Sequence, residues 1–219
     1  MSQPVIFCDF DGTITTKDNI MAIMKKFAPP EWEPIKDQIL GQEISIQQGV
    51  TRLFNLLSTN QKDEITQFVL DQAQIREGFE DFVAYTRSQR IPLFIVSGGI
   101  DFFVKPLLKD YITEDHIYCN VADFSGDTIS IEWAHSCDEF CSNGCGCCKP
   151  SIIRKLSEDN TYKIVIGDSI TDLQAAKLAD KVIARDFLSK KCEELNIAFE
   201  LFETFRDVIH ILEQLEVHT

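Results

Sequence analysis

Four short apolar runs, each stopping at a polar cluster, set the pattern of this chain. Val5-Ile6-Phe7-Cys8 ends in Asp9-Phe10-Asp11-Gly12-Thr13, and Leu93-Phe94-Ile95-Val96 ends in Ser97-Gly98-Gly99. Lys163-Ile164-Val165-Ile166 ends in Gly167-Asp168-Ser169, and Val182-Ile183-Ala184 ends in Arg185-Asp186. Continuous apolar runs of this length, closed by glycine or acidic residues, predict strands buried on both faces.

Between the runs the apolar spacing lengthens to that of helices. Phe79, Phe82, Val83 and Thr86 mark one amphipathic helix, and Phe102, Phe103, Leu107 and Leu108 mark another. Strands alternating with helices predict an α/β fold: a doubly wound, Rossmann-like parallel sheet covered on both faces. Right-handed crossovers bring every strand's C-terminal end to one edge of such a sheet, where ligands bind. The four polar clusters are therefore expected to meet in one crevice.

Two segments break the alternation. Residues 15–75 carry no strand signal but three helical stripes. These are Ile20, Met21, Ile23, Met24 and Phe27; then Ile46, Val50, Leu53, Phe54 and Leu57; then Ile65, Phe68 and Val69. Pro29-Pro30 separates the first stripe from the second. Starting just after the Asp9 cluster, this block reads as a helical cap inserted over the crevice. The division is then an α/β core from 1–14 and 76–219, with the cap at 15–75. The second break is a β-hairpin, 117–124 and 128–133, flanking Ser125-Gly126-Asp127.

With 219 residues, 44% of them hydrophobic, the chain is long enough to bury a real core. No stretch approaches the ~20 apolar residues of a membrane span. Met1-Ser2-Gln3-Pro4 lacks the basic, apolar start of a signal peptide. Acidic residues outnumber basic ones 35 to 21, for a formal charge of −14, which repels nucleic acid and anionic lipid alike. The expected partner is a small phosphorylated metabolite, not nucleic acid or membrane. An anionic substrate would need a local cation. The sequence assigns no oligomeric state.

The polar clusters offer that cation. Asp9 and Asp11, one residue apart beside Gly12, repel one another unless a cation sits with them. Mg²⁺ takes one or two carboxylates with phosphate and water, and Asp168 supplies a further oxygen. A carboxylate is competent as a nucleophile toward phosphorus, and a second can serve as acid and base. The Ser97 hydroxyl and the Gly98 N–H suit phosphate oxygens, and Lys149 adds a point charge. Phosphate-monoester hydrolysis demands acceleration of up to about 10²¹-fold, about 29 kcal/mol. One preorganised donor contributes about 3–4 kcal/mol, so the groups must act together.

These motifs, in this order, resemble the four signatures of the haloacid dehalogenase superfamily. They are Asp9-Phe10-Asp11-Gly12-Thr13, Ser97, Lys149 and Gly167-Asp168-Ser169-Ile170-Thr171-Asp172. The resemblance implies Asp9 as nucleophile and Asp11 as the acid–base group. It implies Mg²⁺ held by Asp9 and Asp168 side chains and by the Asp11 carbonyl. Ser97 and Lys149 would bind phosphate, with Asp172 behind the metal and lysine. Asp11 stands where dehalogenases lack an aspartate, so a phosphatase is implied. The helical insertion resembles the phosphoserine-phosphatase-like branch. Thr171, however, replaces the asparagine often found there. The Cys-Gly-Cys-Cys-Lys stretch and motif spacing are similar to the methionine-salvage phosphatases, which implies an enol-phosphate substrate.

Other readings compete at several residues. Asp9 and Asp11 would also fit a solvated turn. Ser97 would fit an N-cap for a helix over 100–108, with Asp101 as rival. Five of the eight cysteines (Cys137, Cys141, Cys145, Cys147, Cys148) fall in one short stretch, unlike a secreted disulfide framework, and predict a cytoplasmic protein. Cys137, Cys141 and Cys145 approach zinc-ligand spacing. With three residues in each interval and no histidine inside the run, a reduced, metal-free loop positioning Lys149 is the favoured reading. A cysteine-rich metal or redox protein on a retired scaffold is the alternative from another class; a phosphoserine phosphatase is the alternative enzyme. In the cap, Asp18 is a candidate substrate contact. Arg52 reads as a solvated residue, and Met21, Met24 and Phe27 as cap core. His116, His135, His210 and His218 form no ligand pattern.

Overall fold

The computed structural model describes residues 3–216; Met1, Ser2 and His218 lie outside them. Seven strands form one sheet in the order β4-β3-β2-β1-β5-β6-β7. They are β1 (Gln3–Cys8), β2 (Leu93–Ile100), β3 (Ile117–Asp123), β4 (Ser130–Glu132), β5 (Thr161–Gly167), β6 (Lys181–Ala184) and β7 (Glu200–Leu201). All neighbours pair parallel except β4, which runs antiparallel to β3.

The central strands show why their sequence is apolar throughout. Successive side chains of a strand point to opposite faces. In β1, Ile6 and Cys8 join one buried cluster while Val5 and Phe7 join another across the sheet. Ile164 and Ile166 of β5 divide from Val165 in the same way. Helices α5 (Phe79–Ser88), α6 (Asp101–Leu108) and α10 (Phe205–Glu216) cover the first face. On the second lie α7 (Lys149–Leu156), α8 (Leu173–Ala176) and α9 (Asp186–Glu194). The two-residue β7 and the helices after β5 are elements that the four apolar runs and the helical stripes do not include.

Residues 15–75 fold into four helices: α1 (Asn19–Phe27), α2 (Trp32–Leu40), α3 (Ile46–Phe54) and α4 (Lys62–Gln72). Thr15 and Ile75 form an antiparallel bridge where the chain leaves and rejoins the sheet domain. Helix α2 has no counterpart among the three stripes; it opens with Pro34 in its first turn, where the missing N–H costs nothing. Met24 is fully buried and Phe27 meets Phe68 edge-on, so this stripe forms the core of the lobe. Ser58 bridges Thr128, and Ile129 donates its N–H to the Leu57 carbonyl. These contacts divert the first residues of the expected second hairpin strand, so β4 begins only at Ser130. Among the described residues no helix is long and apolar enough to cross a membrane.

Candidate active site

The Asp9 loop begins where β1 ends. Asp9 N–H still donates to the Ile166 carbonyl of β5 at 2.9 Å, so its position is set by the sheet. The chain then turns through Gly12 at φ +82°, and a Cβ there would collide with the Asp168 carboxylate. Glycine is required on both counts. Thr13 Oγ1 donates to Asp168 Oδ1 at 2.9 Å, joining the first loop to the β5 loop. Arg76, where the chain returns from the lobe beside the Thr15–Ile75 bridge, straps the turn. Its Nη2 donates to the Gly12 carbonyl at 2.6 Å and its Nε to the Thr13 carbonyl at 2.7 Å.

Strand β2 departs from the simple expectation. Instead of stopping at Val96, it continues to Ile100, and Ser97-Gly98-Gly99 forms a bulge opposite the single residue Cys119 of β3. A bulge lifts peptide groups out of the ladder and re-aims them. Ser97 is fully buried and its Oγ accepts the Gly99 N–H at 2.9 Å, so it caps no helix. Asp101 does not cap either; its Oδ1 accepts the Ala122 N–H at 3.0 Å. A Cβ on Gly98 would meet nothing within 4 Å, which leaves its backbone open to a ligand. Asn120 Nδ2 holds the Gly98 carbonyl at 2.8 Å.

Lys149 is the first residue of α7, with Pro150 behind it. Its Nζ donates to Asp9 Oδ1 and to Asp172 Oδ1, each at 2.5 Å. A cation opposes the positive end of a helix, and these two carboxylates offset that conflict. Asp172 is saturated: its Oδ2 accepts from Asp168 N, Ser169 N and Ser169 Oγ. It therefore fixes Lys149 and the β5 loop, leaving Asp9 and Asp168 as the carboxylates with oxygens to offer.

The electrostatics are lopsided. Oxygens of Asp9, Asp168 and Asp172 all lie within 4.8 Å of one another. Three carboxylates against one ammonium leave two uncompensated negative charges at a site where Asp9 and Lys149 are about 5% exposed or less. Burial, then the Asp172 carboxylate, raises Asp9 and pushes Asp168 up to about 6. Burial opposes the Lys149 charge, but Asp172 and Asp9 outweigh it and keep the ammonium protonated. Burial, then Asp18, pushes Asp11 up to about 7. A buried, all-oxygen donor set with this charge fits a hard divalent cation such as Mg²⁺.

Residues 6–177 match the haloacid dehalogenase-like hydrolase family. The chain belongs to that family. A 2-hydroxy-3-keto-5-methylthiopentenyl-1-phosphate phosphatase of Geobacillus thermodenitrificans is 59% identical over 215 residues, 98% of each chain. Among solved structures, a phosphoserine phosphohydrolase-like protein of Francisella tularensis superposes with TM-score 0.70 at 18% identity. It covers 95% of this chain and 99% of that one. A phospho-aspartyl intermediate analogue of phosphoserine phosphatase gives 0.72 at 17% identity, covering 96% and 99%. At such identities these two structures speak for the fold alone, a mostly parallel sheet flanked by helices.

The structure brings Asp9, Lys149, Asp168 and Asp172 into direct contact and sets Asp11 beside Ser97. A Cβ built on Gly99 would lie 2.8 Å from Asp11 Oδ2 and 3.0 Å from Ser97 Oγ. Asp11 Oδ1 turns to Asn19, accepting from its N at 2.9 Å and its Nδ2 at 2.6 Å. Asp18 is exposed and caps α1, accepting from Met21 N at 2.9 Å. Arg52 is also exposed and donates to Gln38 Oε1. Neither motif nor periodicity marks Asn19, Arg76 or Asn120: Asn19 reaches back to Asp11 across the same loop, while Arg76 and Asn120 act through contacts distant in sequence.

Proposed function

We propose that this family member is a Mg²⁺-dependent phosphomonoesterase acting through an aspartyl-phosphate on Asp9. Its proposed substrate is 2-hydroxy-3-keto-5-methylthiopentenyl-1-phosphate, in L-methionine salvage. The convergence of Asp9, Lys149 and Asp168 at one buried point, in a chain 59% identical to a phosphatase of that name, carries this reading.

Phosphate would lie against the Ser97 hydroxyl, the open Gly98 backbone and Lys149 Nζ. A carboxylate oxygen of Asp9 attacks phosphorus while the ester P–O bond breaks. Asp11 hands its proton to the departing oxygen, then takes one from the water that cleaves the aspartyl-phosphate. Inorganic phosphate leaves and Asp9 is restored. Asp9 and Asp168 would hold Mg²⁺, which when bound offsets charge on the transferring phosphoryl group. Lys149 and Asp172 keep Asp9 in place throughout. Because Asp9 and Ser97 are buried here, residues 15–75 would act as a cap that opens for entry, swinging on the Thr15–Ile75 bridge. Eight free thiols suit a cytoplasmic setting.

The test is phosphate release from the enol-phosphate and from phosphoserine, each with and without Mg²⁺. The expected result is Mg²⁺-dependent turnover with kcat/KM highest for the enol-phosphate. Preference for phosphoserine would overturn the substrate, and full activity of Asp9→Asn would overturn the mechanism.

A further inference from the structure

Residues 133–148, between β4 and α7, contain no helix or strand. A loop of this length in a compact domain needs an internal tie or a function. Its middle has little apolar packing, with Phe140 74% exposed, while Trp133 and Cys147 toward its two ends pack against buried clusters. Arg154 grips Asp138 with two hydrogen bonds of 2.7 and 2.6 Å, and Cys148 N–H donates to the His135 carbonyl. What fills the loop's centre is sulfur. The Sγ atoms of Cys137, Cys141, Cys145 and Cys148 all lie within 4.8 Å of one another, and none is in a disulfide.

That spacing is the signature of one ion. A tetrahedral Zn²⁺ with Zn–S bonds of about 2.3 Å holds its sulfurs about 3.8 Å apart. Cys141 and Cys145 Sγ stand 3.9 Å apart. The intervals are Cys137-x3-Cys141-x3-Cys145-x2-Cys148, each inside the two-to-four range of structural zinc sites. The last is a CxxC pair, which the reading based on Cys137, Cys141 and Cys145 leaves out. Gly144, at φ +61°, makes the turn that carries the chain from Cys141 to Cys145. Outer hydrogen bonds aim at the sulfurs, as they do around metal thiolates. Ser151 Oγ donates to Cys148 Sγ at 2.9 Å, and the Asn143 backbone N–H reaches Cys141. Cys147 turns the other way, toward the Tyr118 carbonyl and the buried cluster of Val5 and Phe7.

We propose that Cys137, Cys141, Cys145 and Cys148 bind one structural Zn²⁺, separate from the carboxylate site. Each thiol gives its proton to solvent as its thiolate binds the metal. Four protein ligands close the site, so the ion holds structure and leaves no position for substrate. Soft sulfur donors select zinc over Mg²⁺. The consequence reaches the active site, because Cys148 is the N-cap of α7 and Lys149 is that helix's first residue. It reaches the helical lobe as well, since the Gly144 carbonyl accepts the Gln47 N–H at 3.3 Å. The ion would pin Lys149 from behind while anchoring the loop that touches α3.

Metal analysis of the full chain, purified under reducing conditions from zinc-supplemented cells, tests the proposal. About one zinc per chain is expected. Cys137→Ser and Cys148→Ser should each lose most of it, while Cys147→Ser, next to Cys148 in sequence, should retain it. Cobalt-exchanged wild-type protein should show thiolate-to-cobalt charge transfer, unchanged in Cys147→Ser. Should a serine variant not fold, Cys141→His offers a nitrogen ligand and should keep the metal while weakening that band. Wild-type protein with no zinc, with iron in its place, or with a Cys141–Cys145 disulfide would overturn the proposal. So would equal zinc loss from Cys147→Ser and Cys148→Ser. None of these readouts uses turnover, so they stand apart from the phosphatase reading.

Discussion

The carboxylate cluster and the thiol cluster flank the same helix end, yet they are built in opposite ways. Asp9 and Asp168 hang from the ends of β1 and β5, where the sheet sets their positions before any ligand arrives. The four cysteines sit on a loop with no regular structure, held by a few hydrogen bonds such as the Arg154–Asp138 pair and by the sulfurs themselves. Hard oxygens on a rigid frame suit an exchangeable Mg²⁺ that shares its shell with substrate. Soft sulfurs on a loop suit an ion that is itself the frame. One region spends stability to hold like charges together, and the other would gain stability from the metal it gathers.

The sharpest way to break the comparison is Asp9→Asn. Turnover should fall by at least ~10⁴-fold, as for other lost nucleophiles, while zinc content and fold stay unchanged. Phosphate release, metal analysis and circular dichroism would check all three. Next in size is Lys149→Met, which strands the carboxylates without their ammonium. Losing one partner of a buried pair costs about 3–5 kcal/mol, and added Mg²⁺ should recover part of it. Urea unfolding with and without Mg²⁺ measures this, and no response to Mg²⁺ would count against the oxygen site.

Arg76→Ala should come third. It leaves the Gly12 and Thr13 carbonyls without their donors, a loss of about 1–3 kcal/mol, and kcat should fall more than KM rises. Steady-state kinetics separate the two. The smallest effect is expected for Asp18→Ala, which removes the α1 N-cap at about 1 kcal/mol. A thermal melt should register it with KM unchanged; a raised KM with an unchanged melt would make Asp18 a substrate contact instead.

Several of these residues stood out in the sequence for one reason. A sheet buried on both faces writes continuous apolar runs, and each run here ends at chemistry: Asp9, Ser97 and Asp168 follow directly. Lys149 was visible only as part of the motif order, since a lysine after a cysteine-rich stretch has no periodicity of its own. Arg76 and Asn120 stayed hidden because each binds a backbone partner brought near only by the fold, and Asn19 because the loop conformation, not spacing, turns it onto Asp11. The bulge at Ser97 was hidden too: whether a strand stops or buckles depends on its neighbour β3.

The chain's own order of residues determined the parallel sheet, the helical insertion and the donors gathered at the strand ends. Hydrophobic period and motif spacing are local properties, and they survive in one dimension. Folding in three dimensions decided which of two adjacent cysteines faces the sulfur cluster and which the core. The interval Cys145-x2-Cys148 marks a CxxC pair in the sequence, but where Cys147 points is set by packing: it turns toward Tyr118, while Cys148 is held at the start of α7.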